Sequence, residues 1–81
     1  RVSVEYGTLC VMAPDGALIE SIEVVDLRGR TIHAIRLGLA ARATQVRWDG
    51  RLADGRRLGA GRYVVRVRTN RGQAVSTVLW R

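Results

Sequence analysis

Lysine is missing from this chain. All 14 of its basic residues are arginine, against 7 acidic ones, for a net charge of +7. Arginine without lysine, beside abundant Ala, Gly and Val, is what codon bias in a GC-rich genome produces. The functional alternative is an arginine-rich surface for phosphate or carboxylate groups, which a guanidinium fork binds through two hydrogen bonds. Cysteine is nearly missing too. Cys10 stands alone, so no internal disulfide forms and a disulfide-built secreted scaffold is excluded. At a strand-like position it reads as a small buried hydrophobe, because a reactive thiolate needs an accessible, electropositive setting and a base. No apolar run approaches the ~20 residues of a membrane helix, and no basic-plus-apolar leader opens the chain. Membrane insertion is therefore not expected. The chain opens on Arg1-Val2-Ser3-Val4 without Met, which reads as a fragment or processed domain of a larger protein. Its 81 residues support a single domain with a modest core.

What is present is organised around Trp48 to Tyr63, W-D-G-R-L-A-D-G-R-R-L-G-A-G-R-Y. An alternating run, Thr44, Val46, Trp48, enters this stretch, and another, Tyr63, Val65, Val67, leaves it. Between them Asp49-Gly50, Asp54-Gly55 and Gly59 to Gly61 predict a compact loop with at least two tight reversals, pinned by buried aromatics at its ends. Upstream, Val2, Val4 and Tyr6 fall on one face. Gly7 then separates them from the apolar run Leu9 to Met12, giving two short strands or one bulged strand. Pro14-Asp15-Gly16 is a turn signal, and pairing is expected to lapse over Ala17 to Ile19. Ser21 to Leu27 and Arg30 to Leu37 form a hairpin through Asp26-Leu27-Arg28-Gly29, a type I turn candidate. Gly38 to Arg42 is too short for a stable helix. Arg62 to Thr69 and Gln73 to Trp80 form a second hairpin through Asn70-Arg71-Gly72. Strands at this spacing, with no helix to cross over, predict an all-β, antiparallel β-sandwich of about seven strands.

Two stretches carry a resemblance. Asp26-Leu27-Arg28-Gly29-Arg30-Thr31-Ile32 resembles the D-x-x-G-R-x-V hairpin of a family of small bacterial immunoglobulin-like domains. Trp48-Asp49-Gly50-Arg51, Asp54-Gly55, Leu58 and Gly61-Arg62-Tyr63 resemble the same family's W-D-G-R loop. These are the domains of flagellar hook-capping proteins and of type IX secretion C-terminal sorting domains. The resemblance covers about Ser21 to Trp80 and implies an immunoglobulin-like sandwich. The sorting members carry Asn-Pro near the start, where this chain has Ala13-Pro14.

The residues supply no catalytic constellation. His33 is the single histidine, and no oriented partner for a general base accompanies it. Asp49 and Asp54 fall short of the six to eight oxygens of a calcium site and stand amid Arg51, Arg56 and Arg57, so they read as turn residues. Glu5, Glu20 and Glu23 have no convergent partner. The glycine-rich loop lacks the Gly-Lys-Ser/Thr and the helix of a phosphate cradle. No metal and no cofactor are expected. Arg66 and Arg68 share one strand face, which Arg36 and Arg47 would join across a sheet. The aromatics Trp48 and Tyr63 point the other way, so this basic face lacks the stacking platforms of an RNA-reading sheet. A nucleic-acid partner is accordingly not expected, and a solvated face that discourages sheet association is the plainer account. Tyr6 and Trp80, near the two chain ends, are the candidate pair for sugar stacking.

The expectation is a non-catalytic C-terminal accessory domain of a secreted or cell-surface bacterial protein. By resemblance, it serves secretion sorting or surface attachment, with secretion machinery or a surface polysaccharide as partner. The closing residues Val78, Leu79, Trp80 and Arg81 are the recognition candidates. The alternatives are a carbohydrate- or protein-binding module of an extracellular hydrolase, and a structural domain of a hook-capping type assembly.

Overall fold

The computed structural model describes all residues, Arg1–Arg81. Its strands are β1 (Val2–Glu5), β2 (Thr8–Met12), β3 (Ile19–Val25), β4 (Thr31–Arg36), β5 (Gln45–Trp48), β6 (Gly61–Thr69) and β7 (Gly72–Trp80). They form two antiparallel sheets, one in the order β1-β2-β5 and the other β4-β3-β6-β7. Each sheet turns its apolar alternation inward. Leu9 and Val11 of β2 and Trp48 of β5 meet Ile22 and Val24 of β3, Val65 and Val67 of β6, and Val78 and Trp80 of β7. The period of two along a strand puts these residues on one face and leaves Glu23, Arg66, Arg68 and Val75 on the other. Strand β4 pairs with β3 in the larger sheet, not with β5.

The turns explain the connections. Tyr6 and Gly7 both take left-handed backbone, φ 52° and 74°, and close β1 onto β2 as a two-residue hairpin of the I′ kind. The choice between two strands and one bulged strand is thereby decided. Tyr6 leaves the Val2–Val4 face and stands exposed in the turn. Between β3 and β4, the Asp26 carboxylate accepts the backbone N–H groups of Arg28 and Arg30, each at 2.9 Å, and the Gly29 N–H donates to the Asp26 carbonyl. This is the Asp-initiated turn the sequence predicts, with one register shift between Val24 and Val25. Leu39–Ala41 forms only a single 3-10 turn.

The second strand of the larger sheet begins earlier than its alternation suggests. Ile19 is fully buried and pairs with Thr69 and Ala43, because a register shift after it absorbs the residue that breaks the alternation. The segment before it is held by the β6–β7 turn. The Leu18 N–H donates to Asn70 Oδ1 at 2.9 Å, and Arg71 Nη1 donates to the Asp15 carbonyl at 2.9 Å.

Candidate functional site

The loop from Trp48 to Tyr63 is a chain of small, self-satisfied turns. Asp49 Oδ1 accepts the Arg51 N–H at 3.0 Å, and Asp54 Oδ1 accepts the Arg56 N–H at 3.0 Å. Arg51 and Arg57 pair as a short ladder, closed by the Leu52 N–H to the Arg56 carbonyl at 2.7 Å. The Leu58 N–H donates to the Gly50 carbonyl, and Leu58 drops into the core. Both carboxylates are thus used by adjacent backbone within separate turns. No three His, Cys, Asp or Glu side chains converge anywhere as a metal site.

The aromatics at the two ends of the loop differ. Trp48 is buried, with its Nε1–H donated to the Arg51 carbonyl at 3.1 Å. Its ring stacks on His33 at 4.5 Å and leans on Trp80 at 5.5 Å. The imidazole of His33 therefore lies half-buried on the inner face, against an apolar ring. Tyr63 is half-buried instead of fully buried, and its hydroxyl donates to the Gly59 carbonyl at 2.7 Å. A tyrosine at the start of this strand, bonded back to the loop four residues upstream, is the tyrosine corner of immunoglobulin-like sandwiches. Gly50, at φ +81°, lies directly against the Trp80 ring.

The arginines divide between two surfaces. Ser21 of β3 lies beside both Arg36 and Arg68, and Glu23 lies beside Arg66. Arg36, Arg66 and Arg68 thus share the outer face of the larger sheet, around a shallow depression that also holds Glu20, Glu23 and Gln73. Arg47 does not join them. It pairs with Cys10 on the other sheet, and the two sheets turn their outer faces apart. The same pairing puts Cys10 half-buried on that outer face beside Ser3, and not in the core. Glu20 is engaged by Arg42 at 2.7 Å.

The closing residues alternate in and out. Val78 and Trp80 are core residues, whereas Leu79 is half exposed and Arg81 exposed. Trp80 therefore offers no open ring, and the Tyr6–Trp80 stacking pair does not form. Tyr6 faces Leu79 and Arg81 across a shallow cleft that also holds Val4 and Gly7.

One feature escapes a reading by alternation. Val2, Val11, Ala13, Val67, Ala74 and Ser76 line an apolar groove of about 250 Å³ between the two sheets, which Arg1 and Arg71 also line. The signal for it in the sequence is the run of small residues, Gly72, Ala74 and Ser76, at inward positions of β7.

Two facing antiparallel sheets, short turns and a tyrosine corner define an immunoglobulin-like sandwich. The family model described as FlgD Ig-like domain matches residues 4–73, and the chain belongs to that family. No curated protein matches it.

Proposed function

We propose that this chain is a non-catalytic structural module of the hook-capping type. It is a rigid sandwich that presents its outer faces and strand edges to other proteins in an extracellular bacterial assembly. The observation that supports this reading is where the motif residues go. Asp26, Trp48, Asp49, Asp54 and Tyr63 each satisfy a nearby backbone group, so the residues of both motifs build turns and core. Family membership points the same way. The test is to remove the chain from its parent protein and follow the parent's incorporation into its surface structure. The 81-residue chain is assayed in parallel against ester, glycoside and peptide substrates. Lost incorporation with background turnover fits the proposal. Normal incorporation together with measurable turnover rejects it.

A second reading, secretion sorting or cell-surface attachment, is supported by the cleft that gathers Tyr6, Leu79 and Arg81 at the end of the chain. Its partner would be secretion machinery or a surface polysaccharide. Fused behind an inert reporter in a bacterium with a type IX system, the chain should carry the reporter to the surface. Leu79→Asp with Arg81→Glu should stop export while leaving the buried Val78 and Trp80 in place. A reporter that stays in the periplasm with the native chain rejects this reading.

A further inference from the structure

Four strands end the two sheets, and three of them are protected against added strands. β1 and β5 are only four residues long and carry Glu5 and Arg47. β4 carries Arg36, and its pairing is interrupted by a register shift opposite Val24 and Val25. Short length, charge and bulges are the usual devices that keep a sheet edge from recruiting another chain. β7 has none of them. It runs nine residues, Gly72–Trp80, pairs with β6 in unbroken register, and contains no charged residue and no proline. Its other side is hydrogen-bonded to no strand; β1 of the smaller sheet packs near it, and the groove separates Arg1 and Val2 from its first half, Gly72 to Ser76.

The two faces beside this edge differ in chemistry. On the inner side, an added strand would look into the apolar groove, where small Ala74 and Ser76 leave room above Val2, Val11 and Val67. On the outer side, β7 presents Val75, 60% exposed, and Leu79, 49% exposed. Behind them on β6, Arg62, Arg66 and Arg68 sit opposite Leu79, Val75 and Gln73. An added strand would lie two strand spacings from β6, roughly 10 Å. An arginine and a glutamate reaching toward each other across Val75 span that distance together.

We propose that the free edge of β7 binds an extended segment of a partner protein in which apolar residues alternate with acidic ones. The peptide adds as a fifth strand to the larger sheet. Its apolar residues enter the groove, and its carboxylates meet Arg66 and Arg68. Main-chain hydrogen bonds supply affinity in this mode, and the alternate side chains supply specificity. The charge decides against a second copy of the chain, since two molecules each at +7 would bring like arginine rows together. The proposal rests on the structural-module reading and gives that module a surface and a partner chemistry.

The probe is a capped nonapeptide alternating Val and Glu, with a dye at one end, titrated into the 81-residue chain by fluorescence anisotropy. A peptide of the same composition in scrambled order, and one with Lys for Glu, should bind at least tenfold more weakly. Ala74→Phe, which fills the groove at an exposed position, and the pair Arg66→Glu with Arg68→Glu should each weaken binding of the Val/Glu peptide about tenfold. Affinity should fall as salt rises. Should a variant fail to fold, the native chain still decides the matter. Amide exchange of residues 73–79 must slow when the peptide is added, while that of β4 stays unchanged. Equal binding of the Lys peptide, unaltered exchange in β7, or a concentration-dependent dimer that the peptide does not dissociate would each overturn the proposal. If the peptide does not bind but removing the chain still blocks assembly of the parent, the module reading stands and this surface is wrong.

Discussion

Gly50→Ala separates two physical effects at the centre of the fold. Gly50 has φ +81°, and a methyl group there would collide with Cζ2 of Trp80. Left-handed backbone costs a residue with a Cβ roughly 1–2 kcal/mol. Forcing an extra carbon into a packed core costs roughly 1–3 kcal/mol more. Alanine also stiffens the unfolded chain, which offsets about 0.4–1 kcal/mol. The net loss is on the order of 2–4 kcal/mol, and at about 4–8 °C per kcal/mol the Tm falls by roughly 10–30 °C. Two controls divide the total. Gly55 has φ +89° and open space where its Cβ would stand, so Gly55→Ala reports the backbone strain alone. Gly59 has neither left-handed backbone nor a near neighbour, so Gly59→Ala should leave Tm unchanged or raise it slightly. Trp80→Phe removes the ring atoms that meet the methyl group. In that background Gly50→Ala should lose less, with a coupling of roughly 1–2 kcal/mol, within the range for residues in contact. The assay is thermal and urea unfolding of the four single variants and the double variant. Equal losses for Gly50→Ala and Gly55→Ala would refute the placement of the Trp80 ring against the loop.

Other consequences follow from the same contacts. Trp48→Ala removes a buried ring packed between His33 and Trp80, and should cost ~3–5 kcal/mol in urea unfolding. Tyr63→Phe keeps the ring but leaves the Gly59 carbonyl without its hydroxyl donor, for a loss of about 0.5–1.5 kcal/mol by the same measurement. Asp26 and Asp54 titrate below the ordinary carboxylate value of 3.8, chiefly because they accept the backbone N–H groups of Arg30 and Arg56 respectively, with partial desolvation opposing. A lowered folded-state pKa means stability that is present above the unfolded value near 3.8 and lost as pH falls through the folded value. Tm should therefore drop below about pH 4, and Asp26→Asn with Asp54→Asn should flatten that drop. Calcium or EDTA should leave Tm unmoved, because the Asp49 and Asp54 carboxylates already accept adjacent backbone N–H groups; a calcium site confined to the folded state would instead add ~2.7 kcal/mol of stability at a hundredfold excess over Kd and raise Tm.

The sequence by itself determined most of the strands and turns and much of the core, though not buried Ile19 nor the half-buried places of Cys10 and Tyr63. These are short-range properties. The period of two in Tyr63, Val65 and Val67 marks an inward face, and Asp26 three residues before Gly29, or Asp54 directly before Gly55, marks a turn whose hydrogen bonds close within four residues. The family resemblance was legible for the same reason, since its motifs are those turns and anchors. Tertiary structure alone decided which strands became neighbours, and with that the surfaces. Arg47 and Arg36 look equivalent along the chain, yet β5 and β4 join different sheets, so only Arg36 reaches Arg66 and Arg68. Tyr6 continues an alternating run, yet the demand for left-handed backbone at the β1–β2 turn turns it out to solvent. Trp80 reads as either a core plug or an open ring until its neighbours, Trp48 and Gly50, close over it. The groove beside β7 was hidden for the deepest reason. Alternation identifies which side chains point inward, but whether the space they enter is filled depends on how closely the opposite sheet approaches. Along Ala74 and Ser76 the small side chains do not fill the space that faces Val2 and Val11, and the groove is left open.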